Sequence, residues 1–407
     1  MDKILFLGDN VHTAQLILAA RNKGIYTIIT DNRAAEESKS KQLADECWDI
    51  SVMDFDALEK RSKDVGINGI SCGASEVCSG AVRELCRRLN LPFWVGDKAW
   101  EYTNDKRKFK EICKECGLPV AKDYKLNIDF NEKDFSEIEY PVVVKPVDSC
   151  SSIGMHICSN KEELVDGYRD AYSKSMSKKV IVEKYISGLQ VSLIYLFSKG
   201  RPIFFTAFDS YGDQLDRHPM IFGANPTSYS RKLQDEWEIP LQMLFQKLEC
   251  NSGIGFVQIL ANDDEAAVME MNYRLPGSHF INELILHEHM IRSSLSRDVE
   301  YDIKALTNNE KNNQSFIYFI WLKPGKIGCI DGIDIICENI PVIEMNDIKK
   351  VGDIIQDNSG MRQILTGIVF SSEKRNVAGK IDFINKHIKV EDELGNDMVY
   401  RYEYKEF

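Results

Sequence analysis

The stretch from Gly253 to Ser278 constrains the fold of this chain more than any other. It reads G-I-G-F-V-Q-I-L-A-N-D-D-E-A-A-V-M-E-M-N-Y-R-L-P-G-S. The apolar run Gly255 to Leu260 predicts a strand, residues 262–264 predict a turn, and Ala267 to Asn272 predicts a second strand. The two strands should therefore pair as a β-hairpin.

Polar side chains alternate along the second strand of this hairpin. Glu270, Asn272 and Arg274 are two residues apart, so they should point to one face, and Gln258 on the first strand can reach the same face. A carboxylate, two amide oxygens and a guanidinium make a poor core. They suit a hard cation on oxygen ligands, with an arginine beside it to stabilise an anion. A solvated polar strand face is the alternative interpretation.

The composition narrows the class of protein. A chain of 407 residues is long enough for two or three domains, and 43% hydrophobic with 28% charged residues is typical of a soluble globular enzyme. The net charge of -12 argues against nucleic acid or an anionic membrane as partner. The N-terminus has too short an apolar run for a signal peptide, and no stretch approaches the ~18 apolar residues of a membrane span. Eleven cysteines without a framework indicate reduced thiols, so we expect a cytoplasmic protein.

The first ninety-odd residues alternate between strand and helix patterns. The predicted strands are Ile4–Leu7, Tyr26–Thr30, Ile67–Ser71 and Pro92–Val95, and the predicted helices are Thr13–Asn22, Asp54–Lys60 and Val77–Leu89. This alternation predicts a parallel doubly wound sheet, whose carboxyl-end loops bind ligands. The first turn lacks G-x-G-x-x-G, so we do not expect NAD binding. Asn10 and Glu76 in these loops could contact a small substrate, although helix caps and turns explain each residue singly.

Two segments in the middle of the chain suggest phosphate binding. A helix expected to start at Thr103 carries Lys106 in its first turn, where a cation is mildly unfavourable unless an anion lies nearby. Further on, the buried strand Val142–Val144 is followed directly by Lys145. The small, flexible residues of the loop Asp148–Gly154 could close over phosphates with their backbone N–H groups.

A strand followed by a hinge comes next. Val180 to Glu183 predicts a strand, Ser187 and Gly188 a turn, and Val191 to Phe197 a further strand. Free backbone groups between Glu183 and Ile186 could form hydrogen bonds with an adenine as they would with a peptide.

In this order, the segments resemble an ATP-grasp enzyme: a lysine, V-K-P with a Ser/Gly loop, V-E-K-Y-I, then V-Q followed by M-E-M-N-Y-R. The resemblance covers essentially the whole chain and includes a C-terminal cap similar to those of biotin carboxylase and bacterial L-amino-acid ligases. It implies an α/β and α+β architecture. A doubly wound pre-ATP-grasp domain would span residues 1–97, an ATP-grasp domain of two α+β subdomains residues 98–307, and a small α+β cap residues 308–407. A polar linker after Asn308 marks the last boundary.

The resemblance also implies the roles of individual residues. The nucleotide-binding residues would be Lys106, Lys145, Ser151, Ser152, Gly154, Glu183, Lys184, Tyr185, Ile186 and Gln190. Magnesium, or manganese in its place, would be held by Gln258, Glu270 and Asn272. Lys145 and Arg274 would be catalytic, with Arg274 stabilising an acyl phosphate or a tetrahedral intermediate. Gln190 replaces the family's usual glutamate for the ribose. Gln258 stands where Asp or Glu is common, as glutamine does in carbamoyl-phosphate synthases, so metal binding should be weaker.

The expected function is an ATP-dependent ligase that joins a small carboxylic acid to an amine through an acyl phosphate, releasing ADP and phosphate. One alternative is a carboxyphosphate-forming carboxylase, or a phosphorylating enzyme similar to carbamoyl-phosphate synthase. Another is a nucleotide-binding regulatory module without turnover. The acid, the amine and the oligomeric state stay open, a homodimer among the alternatives.

Overall fold

The structure is a computed structural model that describes residues 1–148, 153–211, 221–224, 228–277, 283–297, 314–345, 348–356 and 363–401. Residues 149–152 of the predicted phosphate loop, including the predicted nucleotide-binding residues Ser151 and Ser152, lie outside the described residues. Within the described ranges, no helix is both long enough and apolar enough to cross a membrane.

The first unit is a parallel sheet with helices between its strands. It contains β1 (Lys3–Leu7), α1 (Val11–Asn22), β2 (Tyr26–Thr30), α2 (Lys39–Leu43), β3 (Glu46–Trp48), α3 (Phe55–Val65), β4 (Gly69–Cys72) and α4 (Glu76–Leu89). The strands pair in parallel in the order β3-β2-β1-β4. From Ile4 to Leu7, the central β1 is apolar and fully buried, as expected of a strand covered on both faces. The predicted parallel α/β sheet is confirmed.

Details of this unit differ from the sequence prediction. Residues 92–95 form no strand. Instead Trp94 packs against the start of the central hairpin, so closely that a Cβ on Gly253 would lie 2.8 Å from the indole. The short β3 was not predicted, because three residues that include a glutamate show no strand pattern. The side chain of Asn10 caps α1, so the simpler interpretation of Asn10 accounts for it.

A small antiparallel sheet follows. The elements are α5 (Asp97–Thr103), α6 (Lys106–Glu115), β5 (Asp123–Tyr124), α7 (Glu132–Phe135), β6 (Val142–Pro146), β7 (His156–Cys158), α8 (Lys161–Lys174) and β8 (Val180–Lys184). The strand order is β5-β8-β6-β7. The prediction of a helix starting at Thr103 is wrong, because α5 ends there. A new helix starts at Lys106, where the Asp105 carboxylate accepts hydrogen bonds from the N–H groups of Arg107 and Lys108.

The predicted hairpin belongs to a larger sheet. This part of the chain contains the strands and helices β9 (Leu189–Ser198), β10 (Arg201–Tyr211), β11 (Ile221–Ala224), α9 (Ser228–Glu236), α10 (Glu238–Lys247), β12 (Gly253–Ala261), β13 (Ala266–Asn272) and α11 (Glu283–Ser294). β12 and β13 form the hairpin, and β12 also pairs with β9. The buried residues of β9 and β12 share one hydrophobic cluster with the first unit. The hairpin is therefore fixed against the N-terminal sheet.

The C-terminal elements extend the large sheet. They are β14 (Gln314–Leu322), β15 (Gly325–Asp331), α12 (Ile333–Asn339), β16 (Val342–Met345), β17 (Ile354–Ile355), β18 (Ile364–Ser372), α13 (Val377–His387), β19 (Lys389–Asp392) and β20 (Val399–Tyr400). Pairing of β11 with β14 carries the sheet from β10 through β14 to β18 and β16. These elements also have a hydrophobic cluster of their own. The division into residues 1–97, 98–307 and 308–407 stays a proposal, which this separate cluster supports.

Candidate active site

The hairpin brings the three residues of the predicted metal site together. Gln258 on β12 lies directly opposite Glu270 on β13. The Asn272 amide Nδ2 donates to Gln258 Oε1 at 3.3 Å and to Glu270 Oε1 at 3.2 Å. Because cross-strand partners share a face, the side chains converge on one patch of the sheet.

This patch fits a hard divalent cation in its donor chemistry, which consists of one carboxylate and two side-chain amides. Asn272 presents its N–H₂ group to the neighbouring oxygens, and a cation among them would favour its Oδ1 instead. Ser192 on β9 lies opposite Gln258, fully buried, and its hydroxyl has no hydrogen-bond partner among the described residues. Because buried hydroxyls usually have a partner, a polar ligand at this part of the sheet would satisfy it.

Lys106 contacts the same patch from another element, the helix α6. It is the first residue of α6, and its Nζ lies 4.0 Å from Glu270 Oε2. This contact joins α6, which precedes the small antiparallel sheet in the chain, to the β12/β13 hairpin of the large sheet. Lys106 therefore lies beside the carboxylate of this patch.

Lys145 lies at the end of β6, as predicted, and is held by Glu183. Its Nζ donates to Glu183 Oε1, while Lys110 Nζ donates to Glu183 Oε2 at 3.0 Å. Burial alone would lower the pKa of Lys145, but the charge of Glu183 outweighs it and raises the pKa. Burial alone would raise the pKa of Glu183, but Lys145 and Lys110 hold it below its usual range. Lys145 and Glu183 are therefore both charged at neutral pH.

The Glu183 side chain is engaged with these lysines, and its backbone lies within the sheet between β5 and β6, so a nucleotide base would need groups further along the hinge. Further along the hinge, the N–H groups of Lys184 and Tyr185 donate to the C=O groups of Lys122 and Pro141. An adenine at this strand end would therefore use C=O groups of the hinge and the N–H of Ile186, which is buried.

The hinge is fastened to the hairpin. Lys184 Nζ donates to both carboxylate oxygens of Glu265, at 2.9 and 2.8 Å, and Asn262 Nδ2 donates to the Ser187 C=O at 2.6 Å. A Cβ at Gly188 would lie 2.2 Å from the C=O oxygen of Ala261, so only glycine allows this approach. The side chain of Lys184 is thus committed to the turn of the hairpin. Sequence analysis missed Glu265 and Asn262, which look there like ordinary turn residues.

Gln190 lies on the same face as the metal patch. It pairs with Leu260 on β12 and with Ser210 on β10, and Leu260 is two residues from Gln258. Within the part of the chain that the structure describes, the buried hydroxyl of Ser210 has no hydrogen-bond partner. A polar strip therefore continues from the metal patch toward the position predicted for the ribose.

The two ends of the predicted phosphate loop are anchored near Lys145. Asp148 accepts a hydrogen bond from the Ser175 hydroxyl at 2.9 Å and from the Ser177 N–H at 2.6 Å. Gly154 has a positive φ of 73°, and a Cβ there would lie 3.0 Å from Pro146. Glycine is needed at position 154 for both reasons.

Arg274 follows the hairpin and reaches the first unit. Its Nε donates to Glu76 Oε1 at 2.5 Å, and its guanidinium lies 5.4 Å from the centre of the Phe256 ring. Glu76 is the first residue of α4, at the carboxyl end of β4. The carboxyl end of the parallel sheet and the hairpin therefore meet at an ion pair. Together these residues offer cations suited to phosphates, oxygens suited to a metal and an arginine suited to a developing anion.

Comparison with known families agrees with this arrangement. Residues 103–278 match the family model of the ATP-grasp domain. The matched range contains Lys106, Lys145, the hinge and the hairpin with its metal patch. This part of the chain is an ATP-grasp domain.

This chain is also similar in sequence to proteins with assigned activities. Formate-dependent phosphoribosylglycinamide formyltransferase of Prochlorococcus marinus subsp. pastoris is 28% identical over 189 residues, which cover 46% of this chain and 48% of that protein. Biotin carboxylase 1 of Bacillus subtilis is 23% identical over 379 residues, 80% of this chain and 81% of that protein. The chain thus matches about half the length of the formyltransferase and most of the carboxylase.

Among solved structures, L-amino acid ligase from Bacillus licheniformis has a similar fold. The TM-score is 0.79 at 15% identity, over 97% of this chain and 99% of that chain. At this level of identity the likeness concerns the fold. It confirms the predicted fold class across nearly the whole chain.

Proposed function

We propose that this protein is an ATP-dependent carboxylate–amine ligase that works through an acyl phosphate and releases ADP and phosphate. The observation that carries the proposal is the meeting of Lys106 with Glu270 at 4.0 Å. The contact brings a cation of α6, proposed to bind phosphate, to a carboxylate of β13, proposed to bind a metal. A metal-bound polyphosphate would be complementary to these groups.

The first step would join the acid to phosphate. The substrate carboxylate oxygen bonds to the γ-phosphorus of ATP, the bond to the β–γ bridging oxygen breaks, and ADP leaves. Lys106 and Lys145 would bind the polyphosphate and neutralise the charge of two anions that approach each other. A magnesium ion held by Gln258, Glu270 and Asn272 would add positive charge at the phosphate oxygens.

In the second step an amine attacks the carbonyl carbon, the C–O bond to phosphate breaks, and the amine loses a proton. Arg274 would stabilise the oxyanion, and losing such a donor costs roughly 3 kcal/mol. Because Arg274 already binds the Glu76 carboxylate at the junction with the first unit, an anionic group of the substrate could take the place of Glu76. The partners in this proposal are a small carboxylic acid and a small amine. A homodimer stays a further proposal.

The second candidate function is formation of carboxyphosphate from bicarbonate. The similarity to biotin carboxylase 1 over 80% of the chain favours it. Both functions would use the same phosphate-binding and metal-binding residues. They differ in the acid that is phosphorylated, a small carboxylic acid in one case and bicarbonate in the other. A regulatory module without turnover is the third alternative. The retained Glu270, Arg274 and both lysines argue against it, while Gln190 leaves it open.

Phosphate release from Mg-ATP, measured with pooled carboxylic acids and amines, separates these functions. A ligase should release ADP and phosphate only with one subset of acids. Bicarbonate dependence alone would identify the carboxylase, and nucleotide binding without release the regulatory module. Hydroxylamine, which is small enough to need no amine pocket, should trap the acyl phosphate as a hydroxamate. Arg274→Ala should give none. If the correct acid with ATP yields neither hydroxamate nor positional isotope exchange, the acyl-phosphate mechanism is wrong.

A further inference from the structure

Lys110 is a buried lysine that the nucleotide-binding pattern does not include. It lies one turn after Lys106 on α6, on the same side of the helix, and is 5% exposed. Its Nζ donates to Glu183 Oε2 at 3.0 Å and also to Asp123. The other oxygen of Glu183 accepts from Lys145. One buried carboxylate therefore binds two lysines from different elements.

Two basic and two acidic side chains form this cluster. Lys110 lies between Glu183 and Asp123, Lys145 binds Glu183, and the exposed Lys114 also lies beside Asp123. Asp123 on β5 lies directly opposite Glu183 on β8, so Lys110 lies between two carboxylates of adjacent strands. If the ammonium group of Lys145 turned toward a polyphosphate, Glu183 would keep Lys110 as its partner. Without Lys110, that movement would leave a buried carboxylate unpaired, which is strongly unfavourable.

We propose that Lys110 is a positioning residue that keeps Glu183 neutralised, so that Lys145 is released to bind the polyphosphate of a nucleotide. The inference rests on the proposed ATP-dependent function and concerns the same cleft. Lys110 acts through Glu183 and does not contact the nucleotide. Its effect should therefore be confined to ligands that carry phosphates.

Lys114 provides a matched control. It lies one turn further along α6, its side chain is 55% exposed, and its Nζ lies 3.4 Å from Asp123 Oδ2. Lys114 thus shares the helix, the charge and one acidic partner with Lys110 but does not contact Glu183. Lys114→Met should behave as the wild type in every measurement below.

The test is calorimetry of the full chain with ADP and with adenosine, in the presence of magnesium. Lys110→Met should lower the affinity for ADP by about tenfold, which corresponds to the loss of one charge-assisted contact. Adenosine, which has no phosphate, should bind Lys110→Met and the wild type equally. Lys110→Arg, which keeps the positive charge, should restore most of the affinity for ADP.

Glu183→Gln keeps both lysines and removes the charge that holds Lys145, so it provides the background in which the effect of Lys110 is measured again. In that background, Lys110→Met should have no further effect. The proposal is wrong if Lys110→Met binds ADP normally, if adenosine affinity falls in parallel, or if the loss persists beside Glu183→Gln. A wild-type chain that binds no ADP would instead overturn the proposed function, and this inference with it.

Discussion

Replacing Glu270 by glutamine removes the carboxylate of the candidate metal patch and keeps the size of the side chain. The fold should tolerate the change. Glu270 forms an ion pair with Lys106 at 4.0 Å, with 35% and 21% of the two side chains exposed, and its charge also acts on Lys145. Partly exposed pairs of this kind contribute about 0–1 kcal/mol. The melting temperature should therefore change by no more than about 2–4 °C.

Activity should respond far more strongly than stability. Loss of a group that only supports a metal ligand costs roughly 10–100-fold in metal affinity or activity, and loss of a charged ligand itself should cost at least as much. ATP-dependent phosphate release, measured against magnesium concentration, gives this number directly. Asp264→Asn is the matched control, because it removes the same charge from the exposed turn of the same hairpin. Near wild-type activity of Glu270→Gln at saturating magnesium, or equal losses in both variants, would refute the metal assignment.

Two further predictions concern nucleotide binding and acid stability. Lys145→Ala should lower ATP affinity by about tenfold, whereas Arg274→Ala should leave it nearly unchanged and lower turnover, because its partner charge develops during the reaction. Equal losses of affinity by calorimetry would contradict this division. Burial lowers the pKa of His289 to about 4. Between about pH 6.5 and about pH 4 only the unfolded state takes up this proton, so the free energy of unfolding falls by up to about 1.4 kcal/mol per pH unit of acidification. Urea unfolding of wild type and His289→Gln at about pH 7 and about pH 5 measures this effect. If the free energy of unfolding falls equally in the two proteins between these pH values, the prediction is wrong.

Most of the fold could be predicted because its periodicities are local. The buried parallel strands, the hairpin β12/β13 and the N-terminal helices follow from apolar runs, glycines and caps in short windows. The exceptions depend on distant partners. The apolar segment 92–95 looks like a strand, yet Trp94 packs on Gly253, far away in sequence. The continuation of the large sheet through β11 and β14 also joins segments that no local pattern relates.

The candidate site could likewise be predicted only where a local sequence pattern determines it. Alternation along β13 predicted that Glu270 and Asn272 share a face, and the strand register brings Gln258 to them. The ion-pair partners could not be predicted, because each comes from another element. Lys110 carried the one usable signal, a charged residue within the apolar stripe of α6 beside Phe109 and Cys113. Such a residue is buried only when it has a partner.

Each cation assigned to substrate binding is paired with a carboxylate in the structure: Lys106 with Glu270, Lys145 with Glu183, and Arg274 with Glu76. In the proposed function, binding of Mg-ATP and an acid would therefore exchange ion-pair partners as well as add contacts. The cation would replace Lys106 at Glu270, the polyphosphate would replace carboxylates at the lysines, and an anionic substrate would replace Glu76 at Arg274. An exchange of this kind keeps charges compensated in a partly buried cleft, where an unpaired charge is costly. It also makes nucleotide affinity depend on residues such as Lys110, which stabilise the carboxylates left behind.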